Sequence, residues 1–188
     1  MREPPDPNSI QPANPHARPW LPPPWTTTDD RVRGGASQSY LSSLPNDCAR
    51  FYGHLDTSTL GGAGFASQFN PTDAAADGSW DLSAYDGIEI VVIKGGGKVY
   101  TLILKDEFPL EKRDDGRGKA GVNWEVEFRA GKEDGETTEK SSDSDKSKST
   151  TIWVPWEMFK ATHRGKEKKD AGELNKGDVK RIGIMMRR

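Results

Sequence analysis

The 188-residue chain sets 27 Lys and Arg against 29 Asp and Glu, a formal charge of −2, so no overall basic field points to nucleic acid or an anionic membrane. Only 32% of its residues are hydrophobic and 30% are charged, which predicts one compact core with polar additions. The single Cys48 excludes an internal disulfide and a multi-cysteine zinc site, and no apolar run approaches the ~20 residues of a membrane-spanning helix.

Residues 1–25 are proline-dense, with Pro22, Pro23 and Pro24 in a row. Proline fixes φ and removes the amide donor, so this reads as an extended lead-in, with Trp20 and Trp25 as anchors to the domain that follows. The stretch lacks the apolar centre of a secretory signal. Prolines, Glu3 and Asp6 also interrupt any presequence-like amphipathic pattern.

From residue 26 to 188 the signal is β, read as a single domain. "DDRVRGGASQSYL" (29–41) opens it: Gly34 and Gly35 turn the chain into a first strand over 37–43. Asp30 is expected to cap that turn, accept from the glycine amides, or pair with Arg31 or Arg33. Further strands are predicted over 49–56 and 63–69. In "WDLSAYDG", Asp86 and Gly87 are expected to fix the turn into a central strand. "GIEIVVIKGGGKVYTLILKDE" holds two β-branched runs around Gly95, Gly96 and Gly97, the pattern of a hairpin. In "VNWEVEFR" (122–129), Val122, Trp124, Val126 and Phe128 alternate with polar residues, as in a strand with one face in water. The tract 131–150 has mixed charge and no apolar residue able to seed a core, so it reads as a flexible insertion. Strands over 151–156 and 179–187 follow, with at most a helical turn after Pro155. Short strands punctuated by Gly, Pro and Asp point to an all-β fold, a sandwich or a jelly roll.

The motifs for chemistry fail on spacing. Ala36-Ser37 follows Gly34-Gly35 where a P-loop needs Lys-Ser or Lys-Thr, and no strand–glycine–helix fingerprint occurs. Asp29 and Asp30 are adjacent, so on extended chain they point apart and do not flank one bond. A calcium site at Asp30 would need several further oxygens. His54, with Asp56 two residues on, gives two ligands where catalytic zinc needs three. No nucleophile elbow is present. No catalytic residue, metal or cofactor is therefore assigned. Aromatic residues are the remaining functional signal, with Trp153 and Trp156 on opposite faces of "WVPW" and Tyr100 and Trp124 as candidates for a stacking surface.

The ordered series "DDRVRGGASQSYL", "GHLDTSTLGGAGFAS", "WDLSAYDGIEIVV", "GGGKVYTLILKDE", "WEVEF", "TIWVPWEMFKATHRG" and "RIGIMM" resembles the complex I intermediate-associated protein (thirty-kilodalton) family, in a short fungal-type version. The resemblance implies a galactose-binding-like jelly roll, related to carbohydrate-binding modules, and a non-enzymatic, chaperone-like role in assembling mitochondrial respiratory complex I. It implies protein partners such as complex I subunits or other assembly factors, and a mitochondrial location, with the cytoplasm as the alternative. Family members generally continue beyond Arg188 into a further strand, which predicts an open sheet edge here. Arg31 and Arg33 are expected as charged rim contacts for a partner. The rival reading is a carbohydrate-binding module with an exposed aromatic platform. A third is a hydrolase or nucleotide-binding enzyme, with His, Asp and Ser converging in one pocket.

Overall fold

The computed structural model describes residues 25–45, 48–70, 79–107, 120–131 and 149–188. The lead-in before Trp25 and most of the polar insertion lie outside the described residues. Eleven described strands run in the order β1 (Thr26–Asp29), β2 (Gln38–Leu44), β3 (Cys48–His54), β4 (Phe65–Phe69), β5 (Gly87–Val92), β6 (Val99–Lys105), β7 (Asn123–Arg129), β8 (Thr150–Pro155), β9 (Lys160–His163), β10 (Lys166–Glu167) and β11 (Arg181–Arg187). Seven form one antiparallel sheet, ordered β1-β4-β11-β6-β7-β9-β10, and β2–β3 and β5–β8 form two separate two-stranded sheets. The result is an all-β jelly-roll sandwich.

Register assigns the faces. Leu102, Leu104, Trp124, Val126, Ile182 and Ile184 share one face of the large sheet, because Leu104 pairs with Trp124 and Ile182, and Leu102 with Val126 and Ile184. The β5–β8 pair packs on that face. Ile88, Ile90, Ile152 and Val154 point inward to meet Leu104, Trp124 and Val126, and Phe159 and Val179 close the core. Each such side chain contributes about 1.5–3 kcal/mol by leaving water. The β2–β3 pair covers the same face further along: Gln68 Nε2 donates to the Ser39 carbonyl at 2.7 Å, and Phe51 meets Tyr100 edge-on at 5.8 Å. On the second face of the large sheet, Phe69, Ile103 and Met185 form a smaller cluster with Phe65.

The 87–105 segment is not a hairpin. β5 pairs with β8 in the outer layer, whereas β6 lies between β7 and β11 in the large sheet. The glycine run makes the crossing between layers. Gly97 donates its amide to the Ala130 carbonyl at 3.0 Å, and a Cβ on Gly95 would lie 2.2 Å from that same oxygen. Close approach to the end of β7 therefore requires glycine here, and reversal of the chain does not. The expected open edge at the C-terminal strand is corrected as well. β11 is interior, flanked by β4 and β6, and Arg188 exchanges backbone hydrogen bonds with Gly64. The edges of the large sheet are β1 and β10.

A buried polar cluster joins the start of the domain to its centre. Asp30, 1% exposed, accepts from the Ser37 amide (2.9 Å), the Ser37 hydroxyl (2.5 Å) and the Phe65 amide (3.2 Å). Ser37 Oγ in turn accepts from the Asp56 amide at 3.0 Å. The glycine amides bond to backbone, Gly34 to the Arg31 carbonyl and Gly35 to the Asp30 carbonyl, and not to the Asp30 carboxylate. Gly34 has φ +86, and a Cβ on Gly35 would sit 2.4 Å from Asp30 Oδ1. With three donors on its carboxylate, Asp30 is a structural tie between the turn, the entry to β2 and the start of β4.

Asp30→Asn turns an NH2 group toward hydrogen-bond donors. It should cost roughly 2–4 kcal/mol, read as a lower urea midpoint at unchanged m value. The neighbouring Asp56 carboxyl is held well below its ordinary value by hydrogen bonds from the Ser58 and Thr59 side chains and their amides. Its stabilisation is therefore present above the ordinary carboxylate value and lost as pH falls through the depressed one. Asp56→Asn should destabilise at pH 7, and its gap to the parent protein should shrink in acid denaturation profiles below pH 3.8. A gap independent of pH would contradict this.

Candidate interaction surface

The aromatic residues sort cleanly by face. Trp124, proposed from sequence as a stacking surface, is 6% exposed in the main core, and its indole N–H donates to Asp106 at 3.1 Å. Tyr100 is half-buried between the layers, against Phe51 and Phe128. Trp124 is therefore part of the core and not a surface ring, while Tyr100 keeps part of its area exposed.

The exposed rings lie on the outer layer. In β2–β3 the register pairs Gln38 with His54, Tyr40 with Tyr52, Ser42 with Arg50 and Leu44 with Cys48. Alternation along each strand puts these side chains outward, while Ser39 and Phe51 point in. Tyr40 and Tyr52 stack at 5.3 Å between centroids with 26° between planes, and Arg50 lies 4.9 Å from the Tyr52 ring centroid. The two tyrosines are 44% and 41% exposed.

Arg31 stands beside this platform. Its guanidinium forms a two-pronged pair with Asp29 (Nη2 to Oδ2 2.7 Å, Nε to Oδ1 2.9 Å), and Asp29 also caps the 3-10 turn Asp30–Arg33. The Arg31 pKa is raised, first by the hydrogen bond to Asp29, then by attraction to that carboxylate, with a further effect from Tyr40. Val32, half-exposed, continues the surface, and an open depression of about 360 Å³ is lined by Thr27, Thr28, Asp29, Arg31 and Val32. Arg33 turns away and lies 5.7 Å from the Phe65 ring centroid. The two arginines expected to act together thus belong to different surroundings.

On β5–β8, Trp153 is 54% exposed, and a Cβ on Gly87 would touch its ring at 2.9 Å and the Val154 carbonyl at 2.4 Å. Gly87 therefore serves close strand approach. The amide-binding side chain of the preceding turn is Asp81, which accepts from the Ser83 amide and hydroxyl, while Asp86 contributes its carbonyl to Trp156 N–H. His54 is exposed opposite Gln38, and Asp56 is engaged by Ser58. Among the described residues no three His, Cys, Asp or Glu side chains cluster as metal ligands, and no helix is long and apolar enough to cross a membrane.

A surface of stacked tyrosines edged by arginines can bind by apolar contact and charge. Comparison with known proteins supplies the family. The family model described as complex I intermediate-associated protein 30 (CIA30) matches residues 17–188. The chain belongs to the CIA30 family. A similar curated relative, an uncharacterized protein of Schizosaccharomyces pombe, is 35% identical over 164 residues, covering 85% of this chain and 66% of the relative. The chain thus spans just under two thirds of that relative's length. CIA30 is an assembly-factor family, and its match agrees with the resemblance carried by the ordered motifs.

Truncation should separate platform from core. Tyr52→Ala should cost less than about 1 kcal/mol in urea denaturation, whereas Trp124→Ala should cost about 3–5 kcal/mol.

Proposed function

We propose that this chain is a non-enzymatic assembly factor that docks a protein partner on the outer face of β2–β3, in the assembly of mitochondrial respiratory complex I. The observation that carries the reading is the CIA30 match over residues 17–188. The stacked Tyr40–Tyr52 pair supports it by supplying a surface of suitable chemistry. Tyrosine and arginine are the residue types on which binding energy concentrates at protein interfaces, since each combines large contact area with hydrogen-bonding capacity. Arg31, fixed by Asp29, stands at the rim as a charge that steers and orients more than it binds. Partners are complex I subunits or other assembly factors, and the location is the mitochondrion.

A second reading, a carbohydrate-binding module, is favoured by one feature. Trp153 is widely exposed, lies against Gly87, and has the carboxylate of Glu89 directly across the strand pair.

Affinity purification of the tagged protein from mitochondria, followed by mass spectrometry, tests the leading reading. Complex I subunits or assembly factors should be recovered with the parent protein and lost with Tyr40→Ser/Tyr52→Ser. Recovery of none of these from correctly located protein would overturn it. Retention of a soluble glycan array by Trp153, lost in Trp153→Ala, would favour the second reading.

A further inference from the structure

Among the described residues, the second face of the large sheet has an ion-paired end and an end where two cations face each other. At one end, Arg187 pairs with Glu125 at 2.7 Å and Glu127 at 2.9 Å. At the other, Arg181 on β11 stands directly opposite Lys105 on β6. Like charges facing each other across strands destabilise a sheet, so this pair calls for a compensating anion. Neither cation has a carboxylate within ion-pair distance among the described residues. Glu125, the nearest acid with an electrostatic effect on Lys105, is committed to Arg187.

Both cations converge on one ring. Lys105 Nζ is 5.2 Å and Arg181 Cζ 5.1 Å from the Phe69 centroid. Phe69 is held there because it lies across Gly183, where a Cβ would come within 2.4 Å of the ring. The Arg181 fork is fixed on one side only. Its Nη2 donates to Thr26 Oγ1 and, at 3.4 Å, to the Asn70 carbonyl. Its Nε is buried with no acceptor. Burial lowers the Arg181 pKa, and burial first, then the charge of Arg181, bring Lys105 down to about 8. A partly desolvated double positive charge, with an unused guanidinium donor between fixed neighbours, is the chemistry that receives an oxyanion.

We propose that Lys105 and Arg181, set around Phe69, form a binding site for the oxyanion group of a small ligand, a phosphate or a carboxylate. The oxyanion accepts from Lys105 Nζ, lies in the field of the partly buried Arg181 guanidinium, and cancels the repulsion between the two cations. Phe69 sets the spacing and excludes water from one side. Recognition here is by charge, since the ring is already occupied by the two cations.

The test is titration of the full chain with inorganic phosphate and, in a second arm, with glucuronate, each against chloride at matched ionic strength. Binding is read by calorimetry and by the NMR shift of the 13C-methylated Lys105 amine. Saturable binding of either ligand is expected, weakened at least about tenfold by Lys105→Met and by Arg181→Gln. The Lys105 pKa should rise from about 8 on saturation. The wild-type NMR arm holds even where a variant fails to fold. Binding of phosphate alone or glucuronate alone identifies the group and supports the site. No saturable response to either, or a response equal in chloride, would overturn it, as would binding unchanged in both variants.

Discussion

The buried carboxylate of Asp30 fixes where four segments of this chain meet. Through Ser37 it holds the entry to β2, through the Phe65 amide the start of β4, and through Ser37 Oγ the Asp56 amide that leads out of β3. A carboxylate so deeply buried is tolerable only if its lone pairs are satisfied, and three donors from distant positions do this. The geometry leaves no room for side chains around it. Cβ atoms on Gly35 and Gly64 would fall 2.4 Å from Asp30 and 2.2 Å from the Asp56 carbonyl. The position of the β2–β3 pair over the large sheet, and hence the outward aim of Tyr40 and Tyr52, depends on this tie.

Two functional faces follow from the division of the outer layer into two strand pairs. β2–β3 and β5–β8 cover the same side of the large sheet and together bury its apolar positions, so their own outer faces are free to carry rings. Tyr40 and Tyr52 on one pair and Trp153 on the other take those places. The opposite side of the large sheet has no described strand packed on it. Its cations are matched by Glu125 and Glu127 at one end and left facing each other at the other. The proposed docking surface and the proposed oxyanion site thus lie on opposite sides of the molecule and rest on separate observations.

Much of the fold was legible because period-two alternation needs no knowledge of the partner strand. The stretch 122–129 read as a strand for that reason, and the two runs of 87–105 by their β-branched content. What each strand pairs with was not legible at the glycine run, since three glycines suit a reversal and a layer crossing equally, and only the Ala130 carbonyl decides between them. β9 and β10 were missed because Lys160, Ala161, Thr162 and His163 show no alternation and β10 is only two residues long. Among site residues, Arg31 could be singled out by its place after Asp29. Trp124 was placed on a surface because alternation says which residues share a face and not which face is covered. Tyr40 and Tyr52 could have been found, since antiparallel pairing of residues 38–44 with 48–54 sets them opposite each other. Lys105 and Arg181 lie 76 positions apart by number (181 − 105), and only the pairing of β6 with β11 brings them together.

The central claim is that the outer face of β2–β3 is where a respiratory-complex partner sits. Site-specific photo-crosslinking in intact mitochondria tests it most directly, with the photoreactive residue placed at position 42, between the tyrosines and Arg50, or at position 99, on the opposite side of the molecule. Adducts to complex I subunits or assembly factors from position 42 and not from position 99 are the predicted result. Adducts to such proteins from position 99 alone, or from neither, would contradict it.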